Sequence, residues 1–225
     1  KLYYKSLTDP SVGMNKGDFR ILLTRDKDNR LLTVSDNGIG MTKEELEQNL
    51  GTIAHSGSLD FKKDNKDENI DIIGQFGVGF YSAFMVADKV TVISKAYGSD
   101  EAWQWESSGV DGYEMTPAEK DTAGTQIILH IKPNTDTDNY DNFLDEYGIV
   151  AVVKKYSDYV RYPIQMERQH ERQKPEPDPK PEDYKPEWET YTELETLNSM
   201  VPIWKKQKSE VTDEEYNSFY KDKFN

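Results

Sequence analysis

The sequence "IIGQFGVGFYSAF" at residues 72–84 places three glycines, Gly74, Gly77 and Gly79, directly before an apolar segment. Their order, G-x-x-G-x-G, differs from the dinucleotide fingerprint G-x-G-x-x-G, and no lysine follows as the Walker loop requires. Glycine adopts positive φ without strain and lets backbone N–H groups approach a ligand closely. A helix that begins here directs its unpaired N–H groups toward an anion. The stretch therefore predicts an anion-binding loop, with a mobile glycine-rich surface loop as the alternative.

The composition of the chain narrows the classes of partner. A net charge of -14 argues against a nucleic-acid backbone or an anionic membrane as the main partner, because both would be repelled. The absence of cysteine excludes disulfides, zinc–thiolate sites and thiol catalysis, which is compatible with a reducing cytoplasm. The 225 residues suit one large domain, or one domain with part of a second. Since the first residue is lysine, we expect a fragment or a processed form.

The segment before the glycine loop predicts a hairpin and a short helix. "FRILLTRDKDNRLLTVSD" contains β-rich runs at 19–25 and 31–35 joined by a polar turn. After "DNGIGM", Thr42 and Glu45 have the spacing of a capping box, and Gly51 stands where that helix should end. We therefore expect β-hairpin, glycine-rich turn and helix in this order.

Residues 52–73 are polar and lack a clear period, which is typical of disorder or of a functional lid. The apolar "FYSAFMVA" at 80–87 predicts a buried helix. Further strands are predicted at 89–95, 102–106 and 125–131. A helix near 149–160 is predicted with one apolar face, formed by Ile149, Val152, Val153, Tyr156 and Val160. Together these elements indicate an α/β (α+β) sandwich with an antiparallel-rich sheet.

The composition changes after residue 166. Residues 167–198 hold five of the ten prolines amid charged residues, which predicts a charged, partly extended linker. Beyond the linker, Thr212 and Glu215 form a second capping-box pattern ahead of aromatic residues at helical spacing. We therefore divide the chain into a domain at 1–166, a linker at 167–198 and the start of another domain at 199–225.

Five motifs in a fixed order carry a family resemblance. They are "SDNGIGM" at 35–41, "LGTIAHSGS" at 50–58, "GQFGVGFYSAF" at 74–84, "GTQIILHI" at 124–131 and "PIWKKQKSEVTDEEYNSFYK" at 202–221. This series resembles the heat shock protein 90 chaperone family, and the short linker is similar to that of its bacterial type. The resemblance covers nearly the whole chain.

The resemblance implies the ATP-binding fold shared by gyrase, heat-shock, histidine-kinase and MutL proteins, a mixed sheet covered on one face by helices. In that fold the backbone N–H groups of the glycine loop would meet the nucleotide phosphates at Gly77, Val78, Gly79 and Phe80. Residues 51–74 correspond to a lid that closes over bound ATP, with Gly51 and Gly74 as hinges. No Walker lysine is needed in such a site.

The resemblance also assigns the adenine side of the site. Asp36 would accept a hydrogen bond from the adenine amino group, since a carboxylate is acceptor-only. The remaining expected contacts are the tight turn at Gly38 and Gly40, ring packing by Met41, a water network at Thr125, and the sugar and phosphate side at Asn49 and Leu50. Taken alone, Asp36 could be a turn residue, Met41 and Leu50 core residues, Asn49 a helix-end residue and Thr125 an ordinary strand residue.

Two departures from the family pattern affect catalysis. The family's general-base Glu and its magnesium-binding Asn lie on a helix upstream of the "KLYYKSL" segment, so we expect no catalytic and no metal-binding residue in this chain. His55 stands where the lid often has a basic residue, which puts a charge contact with phosphate in doubt. The three histidines, His55, His130 and His170, lack metal-ligand spacing.

The resemblance implies an ATP-dependent molecular chaperone, with this chain as its nucleotide-binding domain and with ATP/ADP and Mg²⁺ as cofactors. Expected partners are client proteins and, in the intact protein, a second copy; the fragment should be monomeric and the location cytoplasmic. The alternative is a protein-interaction module without nucleotide, because truncation could open the pocket. A DNA-acting ATPase of the same superfamily is disfavoured by the charge of -14.

Overall fold

The computed structural model describes residues 1–51, 77–175 and 185–224. The strands are β1 (Ile21–Asp26), β2 (Leu31–Asp36), β3 (Ala87–Lys95), β4 (Ala102–Ser107), β5 (Glu114–Ala118), β6 (Gly124–Ile131), β7 (Ile164–Gln173) and β8 (Trp188–Thr196). The helices are α1 (Leu2–Thr8), α2 (Lys43–Gly51), α3 (Ala83–Val86), α4 (Glu146–Tyr156) and α5 (Asp213–Phe224). The predicted lid, apart from Gly51, lies outside the described residues.

The strands form one eight-stranded sheet in the order β5-β4-β3-β6-β2-β1-β7-β8. Within the described part of the chain, β1 and β7 pair in parallel and the other neighbouring strands pair antiparallel. The mixed, antiparallel-rich sheet expected from the sequence is therefore confirmed. No helix in the described ranges is long and apolar enough to cross a membrane.

Two hydrophobic clusters cover the same face of this sheet. In the first, Leu46 and Leu50 of α2 pack on Val90, Val92 and Trp105. In the second, Ile149 and Val153 of α4 pack on strands β1 and β7. The strand alternation that turns apolar side chains to one face thus gives the helices their packing surface.

The predicted hairpin and both capping boxes are confirmed. β1 and β2 pair from Ile21↔Asp36 to Asp26↔Leu31, which places Asp36 at the end of its strand. At the start of α2, the Glu45 amide donates to Thr42 Oγ1 at 3.2 Å and the Thr42 amide to Glu45 Oε2 at 2.8 Å. The same reciprocal pair joins Thr212 and Glu215 at the start of α5.

The buried helix predicted at 80–87 is wrong in extent and burial. The chain forms a short 3-10 helix at Gly79–Ser82 and then α3, which is one turn long, because Ala87 already begins β3. Met85 is 72% exposed. The apolar face predicted for α4 is also narrower than expected, since Tyr156 is 73% exposed and Val152 38% exposed.

Paired strands occupy much of the stretch predicted as a linker. β7 and β8 pair from Gln165↔Thr196 to Gln173↔Trp188. Charged side chains join the two strands, with Arg168 Nη1 at 2.8 Å from Glu195 Oε2 and Arg172 Nε at 2.7 Å from Glu189 Oε1. The proline-rich residues 176–184 lie outside the described residues, and the division into domains stays a prediction.

Candidate functional site

Asp36 lies at the end of β2, directly opposite Thr125 of β6. Its Oδ1 accepts a hydrogen bond from the Gly38 amide at 2.8 Å. Solvent reaches the side chain, yet the surrounding protein still reduces its hydration, and this raises the pKa of the Asp36 carboxyl. Hydrogen bonds from the Gly38 and Thr125 amides and the charge of Lys120 act against this rise in pKa. The positive charge of the amino terminus at Lys1 also acts against the rise in pKa. Because solvent reaches the side chain, its carboxylate can also accept a hydrogen bond from a ligand.

The turn after Asp36 requires glycine at Gly40. Gly40 has φ +66, and a Cβ atom there would lie 1.8 Å from the Lys95 carbonyl oxygen. The Tyr97 amide donates to the Ile39 carbonyl at 2.7 Å, which holds the turn against the end of β3. A larger residue would push the turn away from that strand. The glycine at this position thus fixes the turn beside Asp36.

Ser94 of β3 connects this turn with β6. Its side chain is fully buried, and its Oγ accepts a hydrogen bond from the Met41 amide at 2.9 Å. The same oxygen lies 2.9 Å from Thr125 Oγ1 and 3.2 Å from the Gly124 carbonyl oxygen. Sequence analysis missed Ser94; the available signal was a hydroxyl in the inward alternation that also contains Val90 and Val92.

Met41, Asn49 and Leu50 lie along α2 and its approach. Met41 packs against the cluster that contains Leu46, and Asn49 Nδ2 lies 3.7 Å from Met41 Sδ. Leu50 is buried, and its carbonyl oxygen accepts a hydrogen bond from the Tyr81 hydroxyl at 3.0 Å. That bond ties the end of α2 to the glycine segment.

The described part of the glycine segment is exposed at Val78 and Gly79 and partly buried at Gly77 and Phe80. Gly77 has φ +64, and Val78 is 51% exposed. The 3-10 helix that begins at Gly79 has no side-chain cap at Val78, and a Cβ atom at Gly79 would meet nothing within 4 Å. The Phe80 ring turns inward, with its centroid 5.6 Å from that of Trp105. The segment thus combines an exposed turn at Val78 and Gly79 with an aromatic side chain that packs inward.

Most of the predicted site residues therefore belong to one connected region. Asp36, the glycine turn, Met41 and Thr125 are linked through Ser94, while Leu50 and Phe80 belong to the hydrophobic cluster beneath Met41. Within the described ranges no three His, Cys, Asp or Glu residues are grouped to hold a metal ion. His55 lies outside those ranges. A separate groove of about 830 Å³ lies between α4 and residues 199–219.

Family comparisons agree with this geometry. Residues 6–128, more than half of the chain, match the family model described as "Histidine kinase-, DNA gyrase B-, and HSP90-like ATPase". Residues 175–225 match the model described as "Hsp90 protein". The mixed sheet with helices on one face and the site at the end of β2 thus define a domain of this ATPase class.

Similar proteins identify the family of this chain within the ATPase class. The chain is 57% identical over 226 residues to "Chaperone protein HtpG" of Natranaerobius thermophilus, and it is 58% identical over 224 residues to the protein of that name in Bacillus subtilis. The same name belongs to a Clostridium botulinum relative that is 56% identical over 224 residues. The chain belongs to the heat shock protein 90 family, bacterial type. Each alignment covers 99% of this chain and 35% of the relative, so the chain spans about a third of the length of the relatives it matches.

Proposed function

We propose that this chain is the nucleotide-binding part of an ATP-dependent molecular chaperone. The observation that carries the proposal is the row formed by Asp36, Thr125 and Ser94 on three neighbouring strands, beside a turn that only glycine can make. Such a row joins a solvent-accessible carboxylate to fixed hydroxyl groups. It suits a ligand with hydrogen-bond donors on a flat apolar ring, as adenine has.

The residues present fit ATP or ADP at both ends. At the base end, Asp36 accepts from the amino group and Met41 packs on the ring. At the phosphate end, the backbone of Gly77, Val78, Gly79 and Phe80 offers N–H groups, and Gly79 is exposed with room for close approach. Asn49 and Leu50 lie on the sugar side. The nucleotide, when bound, supplies the phosphoanhydride bond whose hydrolysis drives the chaperone cycle.

The intact protein is proposed to be an ATPase, whereas this chain alone is not expected to turn over ATP. Phosphoryl transfer to water needs a positioned base and charge stabilisation, and the resemblance places the base and the magnesium-binding Asn upstream of Lys1. Mg²⁺ is bound largely by phosphates and water, so the described residues need not form a carboxylate cage. Lid closure and dimerisation in the cytoplasm would couple the nucleotide to folding of client proteins.

A calorimetric titration of ADP with Mg²⁺ into the 225-residue chain tests the proposal. We expect saturable binding that Asp36→Asn abolishes, because the amide donates where the carboxylate accepts. Asp26→Asn is the matched control, since Asp26 is a turn carboxylate that bonds Asn29 and lies at the other end of the hairpin. Equal binding by wild type and Asp36→Asn would contradict the assignment of the base end.

The second candidate is a protein-interaction module that binds no nucleotide. Its sequence argument is that a truncated pocket could stay open. A folded wild-type chain that gives no heat with ADP, together with unchanged melting temperature in its presence, would favour this candidate. Binding that is lost in Asp36→Asn alone would exclude it.

A further inference from the structure

Ser94 stands at the centre of the proposed base end without a role assigned so far. It lies directly opposite Thr125, which in turn lies opposite Asp36, so the three side chains project from the same face of the sheet in a row. Ser94 is fully buried and Thr125 is buried, while solvent reaches Asp36. The row therefore runs from the interior toward the site.

The hydroxyl protons of this row can be assigned by counting donors and acceptors. A serine hydroxyl has one donor and two acceptor positions. Ser94 Oγ already accepts from the Met41 amide at 2.9 Å, and it has two oxygen neighbours, Thr125 Oγ1 at 2.9 Å and the Gly124 carbonyl at 3.2 Å. The carbonyl can only accept, so it must receive the Ser94 proton if that contact is to be a hydrogen bond.

One arrangement satisfies all three contacts. Ser94 donates to Gly124, and Thr125 then donates to Ser94, which uses the single proton of each hydroxyl. In the opposite arrangement Ser94 donates to Thr125, and two acceptor oxygens face each other at 3.2 Å inside the protein, which costs a buried hydrogen bond. The first arrangement leaves Thr125 Oγ1 with lone pairs alone on its remaining side.

We propose that Ser94 is a positioning residue that fixes the Thr125 hydroxyl as an acceptor, so that the base end selects 6-amino purines against 6-oxo purines. This inference rests on the proposed nucleotide function. With Asp36 and Thr125 both accepting, the base end offers no side-chain donor from this row to a carbonyl oxygen at position 6. An amino group, or a water that it orients, supplies the donors that the row requires.

Removal of the Ser94 hydroxyl releases this constraint. In Ser94→Ala, Thr125 loses its acceptor, so its proton is free to turn toward the ligand and donate to a 6-oxo group. The Met41 amide also loses its acceptor, which weakens binding of every nucleotide to a similar degree. The ratio of the affinities for a 6-amino and a 6-oxo nucleotide therefore distinguishes the proposed role of Ser94 from a general loss of structure.

The test is calorimetric titration of the whole chain with ADP and with inosine diphosphate, which carries oxygen at position 6. We expect wild type to prefer ADP, and we expect Ser94→Ala to reduce the ratio of the two dissociation constants by roughly three- to tenfold, the worth of about one hydrogen bond. Ser107→Ala is the matched control, because Ser107 is also a buried serine at a strand end, bonded to Gly112 and Gly109. It should lower the melting temperature and leave the ratio unchanged.

A double-mutant cycle tests the route through Thr125. In a Thr125→Val background the hydroxyl is absent, so we expect Ser94→Ala to have no further effect on the ratio. A ratio unchanged in Ser94→Ala, or an equal effect of Ser94→Ala with and without the Thr125 hydroxyl, overturns the inference while the proposed function stands. A wild-type chain that binds neither nucleotide overturns the proposed function, and the inference with it.

Discussion

At Asp36, binding and stability make opposite demands on one carboxyl group. Reduced hydration raises its pKa in the folded chain, so the folded protein holds the proton more tightly than the unfolded chain does. Ionisation at neutral pH therefore costs stability. The negative charge that would bind an adenine amino group therefore lowers the stability of the ligand-free fold. Groups with shifted pKa values are common at functional sites.

Asp36→Asn should therefore raise the melting temperature of the ligand-free chain at pH 7. Asparagine keeps an oxygen for the Gly38 amide and carries no charge to desolvate. Because the folded pKa lies above the ordinary one, the advantage of the variant is full above the folded pKa and fades as the pH falls toward the ordinary value. Thermal melts of both proteins across that pH range provide the measurement; a variant less stable at pH 7 would contradict it.

The glycine segment has a residue, Gly79, at which a phosphate could approach the backbone closely. Gly79 has open space where a Cβ atom would lie, and it is absent from the residues with positive φ. Gly79→Ala should leave the melting temperature nearly unchanged and still weaken ADP binding, because the methyl group would stand between the backbone and a phosphate. Calorimetry and thermal melts measure both effects.

Gly98→Ala provides the opposite control for Gly79→Ala. Gly98 has equally open surroundings but φ +82, so alanine there is strained and should lower stability without changing ADP affinity. If Gly79→Ala binds ADP as wild type does, the backbone at Gly79 is not close to the phosphates.

The start of α4 is fixed to three strands by a network of charged side chains. Glu146, which is buried, lies 3.3 Å from Arg25 of β1 and 2.7 Å from Arg168 of β7. Arg168 also pairs with Glu195 of β8 at 2.8 Å. The network holds the β7–β8 hairpin against the helix that covers this end of the sheet.

Glu146→Gln should destabilise the chain by roughly 2 kcal/mol, because two guanidinium groups lose their shared carboxylate; the partial exposure of both arginines keeps the loss below that of a fully buried pair. Urea unfolding measures the difference. The control is Glu187→Gln, which breaks the exposed pair with Lys174 at 3.0 Å and should cost less than about 0.5 kcal/mol. Equal losses of unfolding free energy in the two variants would mean that the burial of Glu146 does not strengthen its ion pairs.

Sequence patterns predicted the elements that depend on neighbouring residues. They missed the features that depend on pairing between residues far apart in the chain. The Thr42–Glu45 capping box depends on residues three apart, so its outcome could be read from the sequence. The strands β7 and β8 contain charged residues whose partners, such as Arg168 and Glu195, stand far apart in the chain. Ser94 likewise gains its place only when β3, β6 and β2 lie side by side.

For the whole molecule, the net charge of -14 acts against the compact state through self-repulsion. Raising the salt concentration from about 0.01 M to about 0.15 M shortens the Debye length from roughly 30 Å to 8 Å, so we expect the melting temperature to rise. The same change should alter ADP affinity modestly, because backbone dipoles supply the proposed phosphate contacts. Melts and titrations in NaCl, with KCl as a control for specific ions, test both.

A fall in melting temperature with salt would mean that ion pairs such as Arg168–Glu195 outweigh the repulsion. A steep loss of ADP affinity would mean that mobile cationic side chains, rather than the glycine segment, bind the phosphates.

The parallel pairing of β1 with β7 has a consequence for the growing chain. Leu23 pairs with Met166, so one edge of β1 stays unsatisfied until the ribosome has extended the chain through β7. Until then the β1–β2 hairpin can join β6 and β3, while the outer edge of β1 exposes free backbone groups to any other nascent strand. Slow synthesis between these two strands would therefore lengthen the period in which the newborn chain itself is prone to aggregate.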